Sequence, residues 1–285
     1  MKILNVFSDN SHIDNLKSSL DTIYAMSISR TSIGILTKWQ EVNDGIIYYT
    51  KTGTKDSLGE FSNLEPCSEI MAYRIASVFG FKDCVETKYR YVTINDRGVS
   101  NDNVMVSYTR NFLEDNQSTS GLCNFFSKSE LLSDSLYNVF LSKFPNFRGK
   151  LDEIILFDFI TLNTDRHLNN ISFIVDVDNN IVKLAPIYDN GASLLSQLSY
   201  ETLSKSSSII DRKLKCKPFN TDFYRQIKNI DITNISENIK YNIQHISLDW
   251  NDIFLDLDIG LLRKDKIKEC VERRLNYVKG LLCEV

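Results

Sequence analysis

The sequence predicts an α+β architecture of two lobes, a small β-rich one followed by a larger helical one. Three patterns predict it. Over residues 1–112, short apolar or alternating runs are separated by turn formers and broken by a single helical stretch. From 113 to 285, apolar residues recur mainly at helical intervals. One strand-like interruption, ISFIVDVDNNIVKLAPIYDNG, lies inside that helical half and directly follows an unusually polar stretch, LNTDRHLNN, at 162–170.

Each element follows from its own residues. SIGILTKWQ and DGIIYYTK flank the turn-forming VNDG and read as a hairpin. SEIMAYRIASVFGF places Ile70, Tyr73, Ile75, Ala76 and Phe79 at helical spacing, and Gly80 suits the helix C-terminus. VETKYRYVTI and NVMVSYT, around the turn-rich NDRGVSNDN, read as a second hairpin. In the second lobe SELLSDSLYNVFLSKF, LDEIILFDFITLN, TDFYRQIKNI, ISENIKYNIQHIS and KDKIKECVERRLNYVKGLLCEV favour helix. The last carries Ile267, Cys270, Val271, Leu275, Val278 and Leu282 on one stripe, which suits core packing or a partner helix.

Composition removes several classes of function. A 285-residue chain with 42% hydrophobic residues and a formal charge of -4 has ample core material and no broad phosphate-binding surface, so nucleic acid is not an expected partner. Cys67, Cys84, Cys123, Cys216, Cys270 and Cys283 form no C-x-x-C pair, which argues against zinc and a disulfide framework and for a reducing cytoplasm. No apolar run approaches a membrane span, and MKILNVFSDN lacks a signal-peptide core. His12, His167 and His245 make no H-E-x-x-H, and KTGTKDSLGE has the wrong spacing for a P-loop.

The polar stretch has a geometric consequence. Ile171–Val175 and Ile181–Ala185 flank Asp178, Asn179 and Asn180, so the economical reading is an antiparallel hairpin. A turn centred near Asp178 and Asn179 sets Asn170 opposite Ile187, and Asp189 then falls within roughly 7 Å of Asn170's partner at about 3.3 Å per residue. A carboxylate beside an amide oxygen suits Mg²⁺, which completes its shell with water and phosphate oxygens. Asp165, five residues before Asn170, supplies a second carboxylate that can accept a hydroxyl proton. The D-x-x-x-x-N spacing matches kinase catalytic loops, and Asp189-Asn190-Gly191 stands where D-F-G would. Lys51 ends a strand and Glu69 opens a helix 18 residues later, the kinase order of lysine and glutamate.

TDRHLNN followed by LAPIYDNG, together with YYTK and SEIMAYRIASVFGF, resembles the HipA-like serine/threonine kinases, including their short CtkA-type members, over about residues 25–285. More distantly it is similar to phosphoinositide kinases. The resemblance implies a bilobal protein-kinase-like fold, ATP and Mg²⁺ as cofactors, and transfer of phosphate to a protein substrate. Matched positions carry roles: Lys51 to the ATP phosphates, Glu69 as its partner, Asp165 as catalytic base, and Asn170 and Asp189 on Mg²⁺. The strand with Val106 and Tyr108 resembles the hinge that holds adenine by backbone groups. Such a kinase can be the toxin of a toxin–antitoxin pair, with autophosphorylation and a small antitoxin protein as partner. The family's S-G-x-Q-x-K phosphate loop is not recognisable in SISRTSIGILTK, where Ser27, Ser29, Thr31 and Ser32 are the candidate acceptors.

Blander readings stand beside these. Asp165 and Asn170 can be turn polarity. His167 can touch a phosphate or simply orient the loop, and Arg166 can meet ATP or pair with an acid of its own lobe. Asp176, Asp178 and Asn180 imitate an EF-hand but lack its glycine and glutamate, so they are read as a turn. SKSSS at 204–208 reads as a disordered loop or a substrate-facing, phosphorylated one. Two other functions fit the same residues: a catalytically silent kinase-fold module that binds nucleotide or a partner, and a lipid or small-molecule kinase.

Overall fold

The structure, a computed structural model, describes residues 6–8, 36–56, 58–96 and 99–284. The serines and threonine named above as candidate acceptors, and His12, lie outside them. The first lobe contains β1 (Val6–Ser8), β2 (Lys38–Asn43), β3 (Ile46–Thr52), α1 (Leu64–Phe79), β4 (Thr87–Asp96) and β5 (Val99–Arg110). The strands form one antiparallel sheet in the order β1-β4-β5-β3-β2. Asp44 and Gly45 join β2 to β3, with φ of 49° and 75°. Two successive left-handed residues match the twist of the flanking strands, which is why Asp-Gly makes this hairpin.

Strand alternation gives the sheet two faces. Trp39, Val92, Ile94, Val104 and Val106 bury one face in a small cluster capped by Phe61. The other face carries Met105 and Ser107 toward α1 and the second lobe. Helix α1 begins at Leu64, a turn before the predicted Ser68 start, because Pro66 in its first turn needs no N–H partner there. It ends where Gly80 turns left-handed at φ 80° and its N–H bonds the Ala76 carbonyl. Its apolar face belongs to the main core of the molecule and packs on β4, β5 and helices of the second lobe.

The second lobe contains β6 (Ser118–Gly121), α2 (Lys128–Leu131), α3 (Leu136–Lys143), α4 (Arg148–Thr161), β7 (Ser172–Val175) and β8 (Ile181–Leu184). After these come α5 (Tyr200–Leu203), α6 (Ser207–Lys213), α7 (Phe223–Ile227), α8 (Glu237–His245), α9 (Trp250–Ile253) and α10 (Leu261–Cys283). Helix α4 is buried almost all round. The stripe of α10 is core: Ile267, Cys270, Val271 and Val278 are fully buried, and Arg274 among them pairs with Asp211 at 2.7 Å.

The 171–185 hairpin forms in the expected register, with Phe173 opposite Leu184 and Ile174 opposite Lys183. Asp176 closes its turn by accepting from the backbone N–H of Asp178 (3.0 Å) and Asn180 (2.8 Å). Phe173 anchors the hairpin among Phe144, Phe125 and Phe147, with ring centres 4.8–5.2 Å away. Strand β6 adds a third member beside β7. SKSSS is only partly loop: Ser204–Ser206 join α5 to α6, with Ser206 as the N-cap, while Ser207 and Ser208 are helical and Ser207 is buried in the first turn. Among the described residues, no helix is long and apolar enough to cross a membrane.

Candidate active-site cleft

Between the lobes, side chains far apart in sequence converge. In β3, Lys51 lies on the α1-facing side of the sheet, opposite Lys38 of β2 and Ser107 of β5. Its ammonium pairs with Glu69 of α1 and, at 2.7 Å, with Oδ1 of Asp189. Glu69 thus sits in the second turn of α1 rather than at its start, and the extra turn lets it reach down from the helix to β3.

Asp189 is fixed from three sides. Its own backbone is left-handed, φ 58°, which an aspartate tolerates better than most residues. Just before it, Ile187 donates its N–H to the Asp83 carbonyl (2.7 Å) and accepts from Val85 (3.0 Å), tying the segment to the loop after α1. Just after it, the carbonyls of Asn190 and Ser193 accept from the Ser68 hydroxyl of α1 at 2.9 and 2.8 Å.

Arg166 settles the alternatives open for it, because it is 1% exposed and faces an acid of its own lobe. It donates to Asp158 of α4 (2.9 and 3.0 Å), to Oδ1 of Asn190 (2.6 Å) and to the Tyr188 carbonyl. One guanidinium therefore braces both neighbours of Asp189 against the helix that precedes the polar loop. Asn163 extends the brace: its amide donates to Asp158 (3.1 Å) and its Oδ1 accepts from the Asp165 N–H (3.1 Å). Asn170 donates its amide to the Asp165 carbonyl (3.1 Å), which turns its Oδ1 away from that bond.

Two adjoining cavities of about 380 and 420 Å³ share Lys38, Lys51, Ser107 and Asp189. The first is lined also by Asp165, His167 and Asn170, so four of the five charged or amide groups of the sequence-derived set face it, Glu69 being the exception. The second is more apolar, with Val85, Phe112, Leu113 and Tyr188 on its walls. The backbone N–H of His167 donates to the Asp165 carbonyl at 2.7 Å, and its buried ring Nδ1 has no partner among the described residues.

Electrostatics mark one spot. Burial works against the Lys51 ammonium, yet Asp189 and Glu69 outweigh it and hold its pKa above the ordinary lysine range. The Lys51 charge holds the Asp189 carboxyl well below the usual carboxylate range, against its own burial. Among the described residues there is no cluster of three or more His, Cys, Asp or Glu able to hold a metal ion. Two oxygen donors, Asn170 and Asp189, could hold a cation that keeps most of its shell for water and phosphate, as Mg²⁺ does.

One expectation needs correcting. Val106 and Tyr108 lie in β5, the middle strand, whose backbone pairs with β3 on one side and β4 on the other, so it has no groups to offer a base. Their side chains also face away from the cleft: Val106 is in the outer cluster and Tyr108 packs on Tyr48 and beneath Arg90. The chain that actually crosses between the sheets runs from Asn111 to Gln117, and Asn111, Phe112 and Leu113 line the apolar cavity. Lys217, whose ammonium lies 2.7 Å from Asp165, joins the site without being among the residues expected there. Only its place in K-L-K-C-K, where apolar and basic residues alternate, could have signalled it.

A five-stranded sheet with one helix, joined by a short linker to a helical lobe and with lysine, glutamate and aspartate meeting at the seam, defines a kinase-like fold. The solved structures bear this out. The chain is similar to the crystal structure of a Helicobacter pylori proinflammatory kinase, CtkA, with a TM-score of 0.61 and 15% identity over 93% of this chain and 96% of that one. It is also similar to hydra Fam20 with sugar, with a TM-score of 0.51 and 12% identity over 93% of this chain and 86% of the other. No protein-family model and no curated protein matches the sequence.

Proposed function

We propose that this chain is an ATP- and Mg²⁺-dependent protein serine/threonine kinase of the HipA-like type. The observation that carries the reading is the convergence of Lys51, Asp165, Asn170 and Asp189 on one cavity between the lobes, with Glu69 holding Lys51 from behind. Phosphoryl transfer asks mainly for positioning and charge neutralisation, and this set supplies both. Lys51 would bind the phosphates, while Asn170 and Asp189 would hold Mg²⁺, which when bound neutralises the charge building on the phosphate oxygens. Asp165 would orient the acceptor hydroxyl and take its proton. The base would lie in the apolar cavity near Val85 and Phe112, with the linker backbone at Asn111–Leu113 in place of the mid-strand groups of Val106 and Tyr108.

A cleft that keeps both a lysine–glutamate pair and the aspartate–asparagine pair supports an active enzyme over a silent nucleotide-binding module. The toxin role and the antitoxin partner follow from the family resemblance alone, and Asp165-dependent growth arrest on expression is their test. For the enzyme itself, purified protein with γ-labelled ATP and Mg²⁺ should label itself or casein. Asp165→Ala should cut the rate by about 10²–10⁴-fold, the usual contribution of a general base. Chelation with EDTA should stop labelling altogether. Wild-type protein that binds ATP but labels neither itself, casein nor basic protein would overturn the proposal in favour of the silent module.

A further inference from the structure

The segment that follows α6 is built asymmetrically. Leu214 leaves the helix in an extended conformation, and residues 214–217 have no regular secondary structure. Cys216 is buried and Leu214, half-buried, packs against the main core at the cavity's edge, while Lys213, the last residue of α6, and Lys215 and Lys217 beyond it are exposed and line the cavity that holds Asp165.

Five lysines and three carboxylates face that cavity: Lys38, Lys51, Lys213, Lys215 and Lys217 against Glu65, Asp165 and Asp189, a local charge of +2 in a chain of -4. Pairing locates the excess. Lys51 is engaged by Asp189 and Glu69, and Lys217 by Asp165. Glu65 accepts from Thr54 at 2.8 Å. Lys38, Lys213 and Lys215 pair with no acid among the described residues. Lys38 comes from the sheet, whereas Lys213 and Lys215 belong to the second lobe and flank the Asp165 side of the cleft. Two of the three uncompensated charges therefore lie where an acceptor would enter.

We propose that Lys213, Lys215 and Lys217 form an acceptor rail that selects a serine or threonine within an acidic, extended peptide segment. Lys215 and Lys217 lie two positions apart in the non-helical segment, the spacing of alternate side chains in an extended peptide, and Lys213 closes α6 just before them, so acidic residues of such a peptide can meet the three charges. Lys217, already bonded to Asp165, couples the rail to the proton-accepting group. This inference rests on the kinase reading and adds to it a substrate class.

Three peptides of equal length test it, each with one serine flanked by glutamates, alanines or arginines. The wild-type protein should show kcat/KM for the glutamate peptide about tenfold or more above that for the arginine peptide, since each exposed ion pair is worth up to roughly fivefold. The gap should shrink as salt rises toward 0.5 M, with screening shortened to a few ångströms. In Lys213→Glu/Lys215→Glu the preference should invert toward the arginine peptide, with a thermal melt confirming that the variant is folded. Equal use of the three peptides, or a preference that survives in the double variant, would overturn the rail and leave phosphotransfer standing. Absence of label on all three peptides and on the protein itself would overturn phosphotransfer, and the rail with it.

Discussion

Replacing Arg166 by leucine should unfold the protein more readily than almost any other single change in the cleft. The guanidinium, itself 1% exposed, makes three bonds to Asp158, one to Asn190 and one to the Tyr188 carbonyl. Leucine fills part of the volume but leaves the Asp158 carboxylate, itself 1% exposed, with only the Asn163 amide at 3.1 Å. Breaking a buried ion pair from one side costs about 3–5 kcal/mol. For a chain of this size that corresponds to a fall in Tm of roughly 6–15 °C. The double variant Asp158→Leu/Arg166→Leu removes the stranded charge and should recover more than half of the loss, because buried pairs exchanged for apolar residues are often near neutral. Urea melts followed by circular dichroism give both numbers. A single-variant loss below about 1 kcal/mol, the range of a surface pair, would refute the reasoning, as would a double variant no more stable than the single.

Burial pushes the thiols of Cys67, Cys84, Cys216 and Cys270 up to about 12, while Cys283 is exposed and Cys123 half-buried. Ellman's reagent at pH 8 should therefore react promptly with two of the six thiols in native protein and with all six in guanidinium, and prompt reaction of four or more would contradict the packing. Because Asp189 is depressed by Lys51, its charge stabilises the fold above the unfolded carboxylate value near pH 4, and this is lost as pH falls through the folded value. The stability gap between wild type and Asp189→Asn should be level from about pH 5 to 8 and close below about pH 4; a gap that widens on acidification would show that the carboxylate is not held by Lys51.

Much of this arrangement was legible in the sequence because it is local. Turn chemistry at Asp44-Gly45 and at Asp178-Asn179, apolar periodicity in α1 and α10, and the register of one short hairpin are each set by residues within a few positions of one another. That register was enough to bring Asn170 and Asp189 to one cavity. What escaped depends on partners distant in the chain. Strand β6, Ser-Thr-Ser-Gly, has no apolar side to announce it and exists because β7 offers an edge. The linker was placed too early because β5 continues to Arg110, and only the pairing of β3 and β4 on its two sides shows that Val106 and Tyr108 are interior to a sheet. Arg166 could be assigned only once Asp158 was seen beneath it, and Lys217 reaches Asp165 across 52 residues.

The seam between the lobes can be read out chemically. With Fe²⁺ in place of Mg²⁺, ATP, hydrogen peroxide as oxidant and ascorbate to recycle the iron, hydroxyl radicals cut the backbone within a few ångströms of the bound metal, and mass spectrometry locates the cuts. Cleavage should appear at residues 165–170 and 187–191, require ATP, and vanish in Asp189→Asn. Cuts confined to other parts of the chain, or unchanged without ATP, would contradict a nucleotide–metal site between Lys51, Asn170 and Asp189.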